Sequence, residues 1–352
     1  MRSVTPSRTL WIDWLRGLAV VFMVEIHTYD AWLADAARAP VRPAWWWAMH
    51  LGGFAAPLFL FLAGLMVGFR PSAPRAVALR GLQVIGYGYL FRLVLIACEG
   101  FKPWSLPTLY KVDILQQIGF SMILAAPLLG APRRVFSGGL VALALLCALM
   151  PPLTALPPAP AWIRPLSDFV TGQRPFAFFP ALPWAAYTIG GIAVGGLLRG
   201  AEGRRLHARM IALAVVGIAL GWAAREVVFD WALRTFGDRG PNHGVDGVVR
   251  MLYRLGVCVA LVPAAFAIAK LLPRLWAPLE QLGKTSLTIY VVHVPIVYGP
   301  FFRPWFKRKL DFAQASLAVA AVLALMLAVS VAWTRFKRWR RGRPTSALAT
   351  PT

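Results

Sequence analysis

Apolar runs of about 20 residues recur from one end of this chain to the other, and they limit its possible folds more than any other feature. Wound as an α-helix, such a run matches the roughly 30 Å hydrocarbon core of a bilayer. Runs of this kind lie near 9–31, 45–69, 77–98, 112–130, 134–151, 179–198, 207–225, 248–271, 278–299 and 312–334. Only 14% of the 352 residues are charged and 59% are hydrophobic, whereas a soluble domain carries about a quarter charged. The expected fold class is therefore all-α, a polytopic transmembrane bundle of about ten helices.

No soluble block long enough to bury its own core is left between the runs. One integral-membrane domain over 1–352 is expected, with tails at 1–8 and 335–352 and a proline-rich external loop at 152–178. In that loop, Trp162 and Phe169 suggest a segment lying on the membrane surface. The net charge of +23 sits in short loops between apolar runs. It reads as topology signal and contact with anionic lipid headgroups, with no nucleic-acid partner. The Lys/Arg excess falls on the side that holds both termini, including "RFKRWRRGR" at 335–343, which places them in the cytoplasm. Cys98, Cys147 and Cys258 lie in apolar runs without metal-like spacing, as small buried hydrophobes do. Asp13 and Arg16 interrupt the first run where a signal peptide has its apolar centre, so this run is expected to be retained.

That first run, "LWIDWLRGLAVVFMVEIHTYDAW", carries Asp13, Arg16, Glu25, His27 and Asp30. A charge at mid-helix costs about 2.5–3.5 kcal/mol on the insertion scale, and such groups normally face the bundle interior or a wet cavity. Eleven residues separate Arg16 from His27, about 16 Å and close to three turns, so the two share a face. Asp13 and Arg16, three apart, also suit a structural ion pair. His27 also suits a core histidine bonded to a backbone carbonyl.

Other helices bring polar groups to the level of His27. His50 lies early in the second run; Asp113, Gln116 and Gln117 open the fourth; Arg250 and Arg254 open the eighth. In the ninth, "LGKTSLTIYVVHVPIVYG", Ser286, Tyr290 and His293 align at spacings of four and three. Together they suggest an outer cavity with acid/base chemistry, since histidine titrates near neutral pH. At the inner ends lie Arg70, Arg75, Arg80, Arg199, Arg204, Arg205 and Lys284. Most are topology residues, and a subset facing the bundle suits a phosphorylated donor.

"IDWLRGLAVVFMVEIH", "GGFAAPLFLFLAGLMVG", "VDILQQIGFSMIL", "FFPALPWAAYTIGGIAVG" and "LGKTSLTIYVVH" resemble the catalytic domain of heparan-α-glucosaminide N-acetyltransferase and its bacterial relatives. These belong to a wider group of transmembrane acyltransferases. The resemblance implies a multi-pass enzyme of the bacterial inner membrane. It would move acetyl from cytoplasmic acetyl-CoA, its co-substrate, to an extracytoplasmic sugar or glycan, with no metal. In the O-acetylating branch of the group, a functional histidine follows the arginine of the first motif by eleven residues, and His27 matches it. In the lysosomal enzyme the active histidine lies in the following luminal segment. Here that segment, Ala31 to Met49, has no histidine, and His50 comes after it.

On this reading His27 is general base or transient acetyl acceptor, with Glu25 or Asp113 orienting it. Asp13, Arg16, Arg80 and Lys284 serve the CoA side. His50, Gln116, Arg250, Arg254, Tyr290 and His293 serve the acceptor. The rival from another class is a transporter or flippase without acyl transfer, because polar groups near the midplane also mark substrate pathways. Against it, no paired broken helices occur in matching halves.

Overall fold

The computed structural model describes residues 10–38, 43–70, 72–103, 106–132, 160, 162–171, 178–236, 245–272 and 277–341, with a few positions between 135 and 146. Its elements are helical. The first five helices are α1 (Leu10–Trp32), α2 (Pro43–Gly52), α3 (Ala55–Phe69), α4 (Pro74–Cys98) and α5 (Ile114–Leu129). After a short helix, α6 (Arg164–Thr171), come α7 (Ala181–Leu198), α8 (Gly203–Ala223) and α9 (Phe229–Phe236), the last two joined by a π-helical turn. The chain ends with α10 (Val245–Leu271), α11 (Ala277–Lys284), α12 (Ser286–Tyr298), α13 (Arg303–Phe306) and α14 (Phe312–Arg341). Among the described residues there is no β-strand, only an isolated bridge between Leu33 and Leu310.

Six stretches among the described residues are long and apolar enough to cross a membrane: Pro43–Phe69, Pro74–Cys98, Ala181–Leu198, Gly203–Trp231, Gly247–Leu271 and Phe312–Arg340. Ile114–Leu129 and Ser286–Tyr298 are shorter apolar helices. At 23 residues α1 is long enough, and only its ionisable groups keep it out of the apolar set. Two expected runs are interrupted. The second breaks after Gly52 into α2 and α3, and the ninth breaks at Thr285 into α11 and α12. Most of the run expected over 134–151, Cys147 and most of the loop 152–178 lie outside the described residues. Within that loop Trp162 is 84% exposed, but Phe169 on α6 turns inward onto Val112, Ala181 and Phe120. Cys258 is buried as expected, whereas Cys98 is exposed; both are free thiols.

The chain divides into two compact units, Met1–Gly52 with Leu272–Thr352, and Gly53–Leu271. In the second unit the helices meet through small residues, which let backbones approach where lipid offers no hydrophobic drive to association. On α3 and α7, "GLMVG" faces "GIAVG". A Cβ on Gly64 would lie 1.9 Å from the Thr188 carbonyl oxygen, and one on Gly191 would lie 2.0 Å from that of Phe61. Gly81 of α4 and Gly119 of α5 meet the same way, as do Gly217 of α8 and Gly256 of α10. Arg199, at the end of α7, donates through Nε at 2.9 Å and through Nη2 to the Gly68 carbonyl at the end of α3.

In the first unit α1 packs on α11, α12 and α14. A Cβ on Gly17 would lie 2.0 Å from the Leu279 oxygen, and one on Gly283 would lie 1.8 Å from the Asp13 oxygen. Between α11 and α14, Gln281 Nε2 donates to Ser330 Oγ and Thr334 Oγ1, each at 2.9 Å. Ser330 Oγ returns a bond to the Gln281 carbonyl at 3.0 Å. Ser330 is fully buried, so this closed network satisfies groups that would otherwise be costly away from water.

Candidate active site

The first unit holds a histidine relay. His27 sits in the last third of α1 and His293 in the middle of α12, 266 residues later. Their rings lie nearly parallel, with planes 4° apart, and His27 Nδ1 is 2.9 Å from His293 Nε2. His293 is fully buried, and its Nδ1 lies 3.0 Å from the Ile289 carbonyl oxygen one turn back. A carbonyl only accepts, so His293 Nδ1 carries a proton. In a neutral ring Nε2 is then bare and must accept from His27 Nδ1–H. The proton order along the relay thus leaves His27 Nε2 with a free lone pair. That nitrogen has no hydrogen-bond partner among the described residues, and His27 is partly exposed.

Aromatic side chains hold the relay in place. The Tyr298 ring meets His27 edge-on at 5.5 Å between centroids, and Tyr290 meets His293 the same way at 5.9 Å. Tyr298 Oη donates to Asp30 Oδ2 at 2.9 Å. Asp30 is also 3.7 Å from Arg38, which donates to its backbone carbonyl. Just beyond, a strap from the α13–α14 connection runs along the end of α1. Lys309 N and Leu310 N donate to the Trp32 carbonyl at 3.1 and 3.0 Å, and Ala34 N donates to the Leu310 carbonyl at 2.8 Å. Trp32 Nε1 donates to the Val297 carbonyl at 2.9 Å.

At the other end of α1, Arg16 Nη1 pairs with Asp13 Oδ1 at 3.3 Å. Lys284 pairs with Glu280 one turn before it on α11. Gly283, beside Lys284, packs against the Asp13 backbone and Gly17 against that of Leu279, so the two ion pairs lie at one end of the α1–α11 contact. About 16 Å of helix separates Arg16 from His27. The unit therefore has an ion-paired end and an imidazole end on one helix.

Glu25 makes no hydrogen bond or ion pair among the described residues; the side chain hydrogen-bonded to His27 is that of His293. Asp113 belongs to the second unit and acts on its own backbone. It caps α5, accepting from Ile114 N at 2.7 Å, while Gln116 Oε1 receives the Asp113 N–H at 3.3 Å, a reciprocal capping box. Arg92 of α4 holds its other oxygen at 3.0 Å. His50 lies in the last turn of α2, stacked on Trp46 at 4.9 Å. Arg254 sits over the Phe54 ring at 5.9 Å, with Tyr187, Arg250, Tyr253 and Cys258 as ionisable neighbours. Arg80 is exposed and bonds Gln83 on its own helix at 3.3 Å.

Residues unremarked in the sequence also join these sites. Tyr298 and Arg38 complete the surroundings of His27, and nothing in their local sequence marks them. Asp168 on α6 is fully buried, with Arg164 at 3.9 Å. Its "RPLSD" spacing of four is an ion-pair signal in retrospect.

A bundle of apolar helices with ionisable groups turned into one of its units defines a multi-pass helical membrane protein. Residues 8–233 match the family described as heparan-alpha-glucosaminide N-acetyltransferase, catalytic, and the chain belongs to this family of membrane acetyltransferases. Residues 195–342 match a second family, described as a protein of unknown function (DUF418). No curated protein matches the chain. His27 falls in the first match and His293 in the second.

Proposed function

We propose that the protein transfers acetyl from acetyl-CoA to a sugar or glycan on the far side of the membrane, with His27 as the base. The observation that carries this reading is the Ile289–His293–His27 hydrogen-bond order, which leaves a bare imidazole nitrogen at the open end. An acceptor hydroxyl or amine loses its proton to His27 Nε2 as its heteroatom attacks the thioester carbonyl carbon. The tetrahedral adduct then collapses, the carbon–sulfur bond breaks, and the CoA thiolate takes up the proton from His27. While His27 is an imidazolium, its Nδ1–H still donates to His293, and the positive charge is spread toward the Ile289 carbonyl. This orienting role is the one the third member of a nucleophile–base triad plays.

The donor belongs at the Arg16 end of α1 on this reading. A CoA phosphate approaching Arg16 or Lys284 has to compete with Asp13 and Glu280 for the same cations. The acceptor belongs at the His27 end with Tyr290 and Tyr298. His50, Gln116, Arg250 and Arg254 remain assigned to acceptor binding, and Arg80 to the donor, as proposals from the sequence. The termini are proposed to be cytoplasmic and the membrane the bacterial inner membrane.

The test supplies acetyl-labelled acetyl-CoA to inside-out vesicles and follows label into enclosed glycan. The His27→Ala variant is expected to lose activity by a factor of about 10²–10⁴, the usual contribution of a positioned general base. Full transfer by that variant would remove His27 from the chemistry. Passage of unmodified substrate across intact vesicles would replace the enzyme with a transporter.

A further inference from the structure

We propose that the last two turns of α14 bind anionic phospholipid headgroups, through an aromatic stripe flanked by cations that make no ion pair among the described residues. The helix start is fixed by a second capping box. Asp311 Oδ1 accepts from Gln314 N at 2.8 Å, and Gln314 Oε1 accepts from Asp311 N at 3.1 Å. With Arg308 and Lys309 immediately before it, this polar start belongs at one membrane surface. Counting from Phe312, Thr334 lies about 33 Å along the axis, enough to cross the roughly 30 Å hydrocarbon core. The helix nevertheless continues to Arg341. Its remaining turns therefore emerge into the headgroup layer of the opposite surface.

The residues there suit that layer. Trp333, Phe336 and Trp339 recur at every third position, with ring centroids 5.7 and 5.8 Å apart in succession. Each is substantially exposed, at 37%, 44% and 53%. The Lys337 ammonium lies over the Trp333 ring at 5.1 Å, a cation–π contact that holds the charge beside the indole. Arg335, Arg338 and Arg340 are exposed and make no ion pair among the described residues. At 100° per residue Arg335 and Lys337 flank the aromatic stripe and Arg340 falls within it. Indole rings favour the interface between hydrocarbon and water. Cations beside them then reach the phosphate level, each adding about 1 kcal/mol of attraction to an anionic surface, or about five-fold in affinity. Among the described residues no carboxylate pairs with these four charges, and anionic lipid is the partner that matches them.

The test purifies the full chain and measures, by native mass spectrometry, retention of phosphatidylglycerol against phosphatidylcholine from mixed vesicles. The unaltered chain is expected to retain phosphatidylglycerol preferentially, and the preference is expected to fall steeply with added salt. Substituting Arg335→Gln, Lys337→Gln, Arg338→Gln and Arg340→Gln together is expected to lower the preference sharply, and each single change to weaken it about five-fold. Arg204→Gln with Arg205→Gln, an exposed basic pair at the start of α8, serves as the control and is expected to leave it in place. Equal loss from the control pair overturns the proposal, as does undiminished retention in the four-fold variant. CoA held by these residues in place of the lipid also overturns it. The single variants and the salt series decide the matter if the four-fold variant fails to fold. None of these readouts depends on acetyl transfer, so the proposal stands or falls apart from the function proposed above.

Discussion

The proton order in the relay is open to direct measurement. With both rings neutral, His27 can move its proton from Nδ1 to Nε2 in only two ways. If His293 stays as it is, the bare His27 Nδ1 faces the bare His293 Nε2 at 2.9 Å, and one hydrogen bond is lost. If His293 flips as well, that bond survives in reverse, but a bare His293 Nδ1 then faces the Ile289 carbonyl oxygen at 3.0 Å. Either route forfeits at least one buried or part-buried bond, about 0.5–1.5 kcal/mol net, and sets two acceptors against each other. The Nδ1–H form of His27 should therefore outweigh the other by about two- to thirteen-fold. Nitrogen-15 shifts of labelled histidine in micelles separate the two forms. Removing the acceptor with His293→Leu should release the preference, while His293→Gln, which keeps a carbonyl acceptor, should retain part of it. A wild-type His27 protonated at Nε2 would refute the proton order, and with it the bare nitrogen at the open end.

Three further outcomes are expected. Asp13→Asn removes a competitor for Arg16 and should lower the KM for acetyl-CoA with little effect on stability, since this pair is partly exposed and such pairs contribute about 1 kcal/mol or less; an increased KM would mean that Asp13 positions Arg16 for the donor. Gly64→Val forces α3 and α7 apart by about 1.5 Å, from 1.9 Å to the 3.4 Å of ordinary contact, and should cost about 1–3 kcal/mol, read as a lower midpoint of thermal unfolding in detergent. Asp113→Ala removes the α5 cap and the Arg92 partner and should cost about 0.5–2 kcal/mol; unchanged unfolding with lost activity would return Asp113 to the chemistry.

Much of the architecture was legible because hydropathy is a local property. The runs that became α1, α4, α7, α10 and α14 all lie where the sequence places them. The breaks at Gly52 and Thr285 were not, because a hydropathy window averages across a single residue that ends a helix. The ionisable face of α1 followed from spacing alone, and the Asp13–Arg16 pair was one of two readings. The partner of His27 did not follow. Spacing shows which residues of a helix share a face, but not which distant helix that face meets, so His293 was grouped with His27 without being bonded to it. Asp113 shows the converse. Its "DILQ" spacing is a capping-box signature, and a polar residue opening an apolar helix satisfies its first N–H groups before it serves any chemistry. Likewise the two G-x-x-x-G stretches read as packing surfaces only when their backbones are seen to touch.

The first unit is assembled from the two ends of the chain, and this imposes an order on biogenesis. His293 is synthesised 266 residues after His27, and at about 5–20 residues per second that interval lasts roughly 13–53 s. Throughout it, α1 must reside in or beside the insertion machinery with its imidazole and carboxylates lacking the helices that later shelter them. Until α11 and α12 arrive, the ionisable face of α1 costs least near the water interface, where its charges stay solvated.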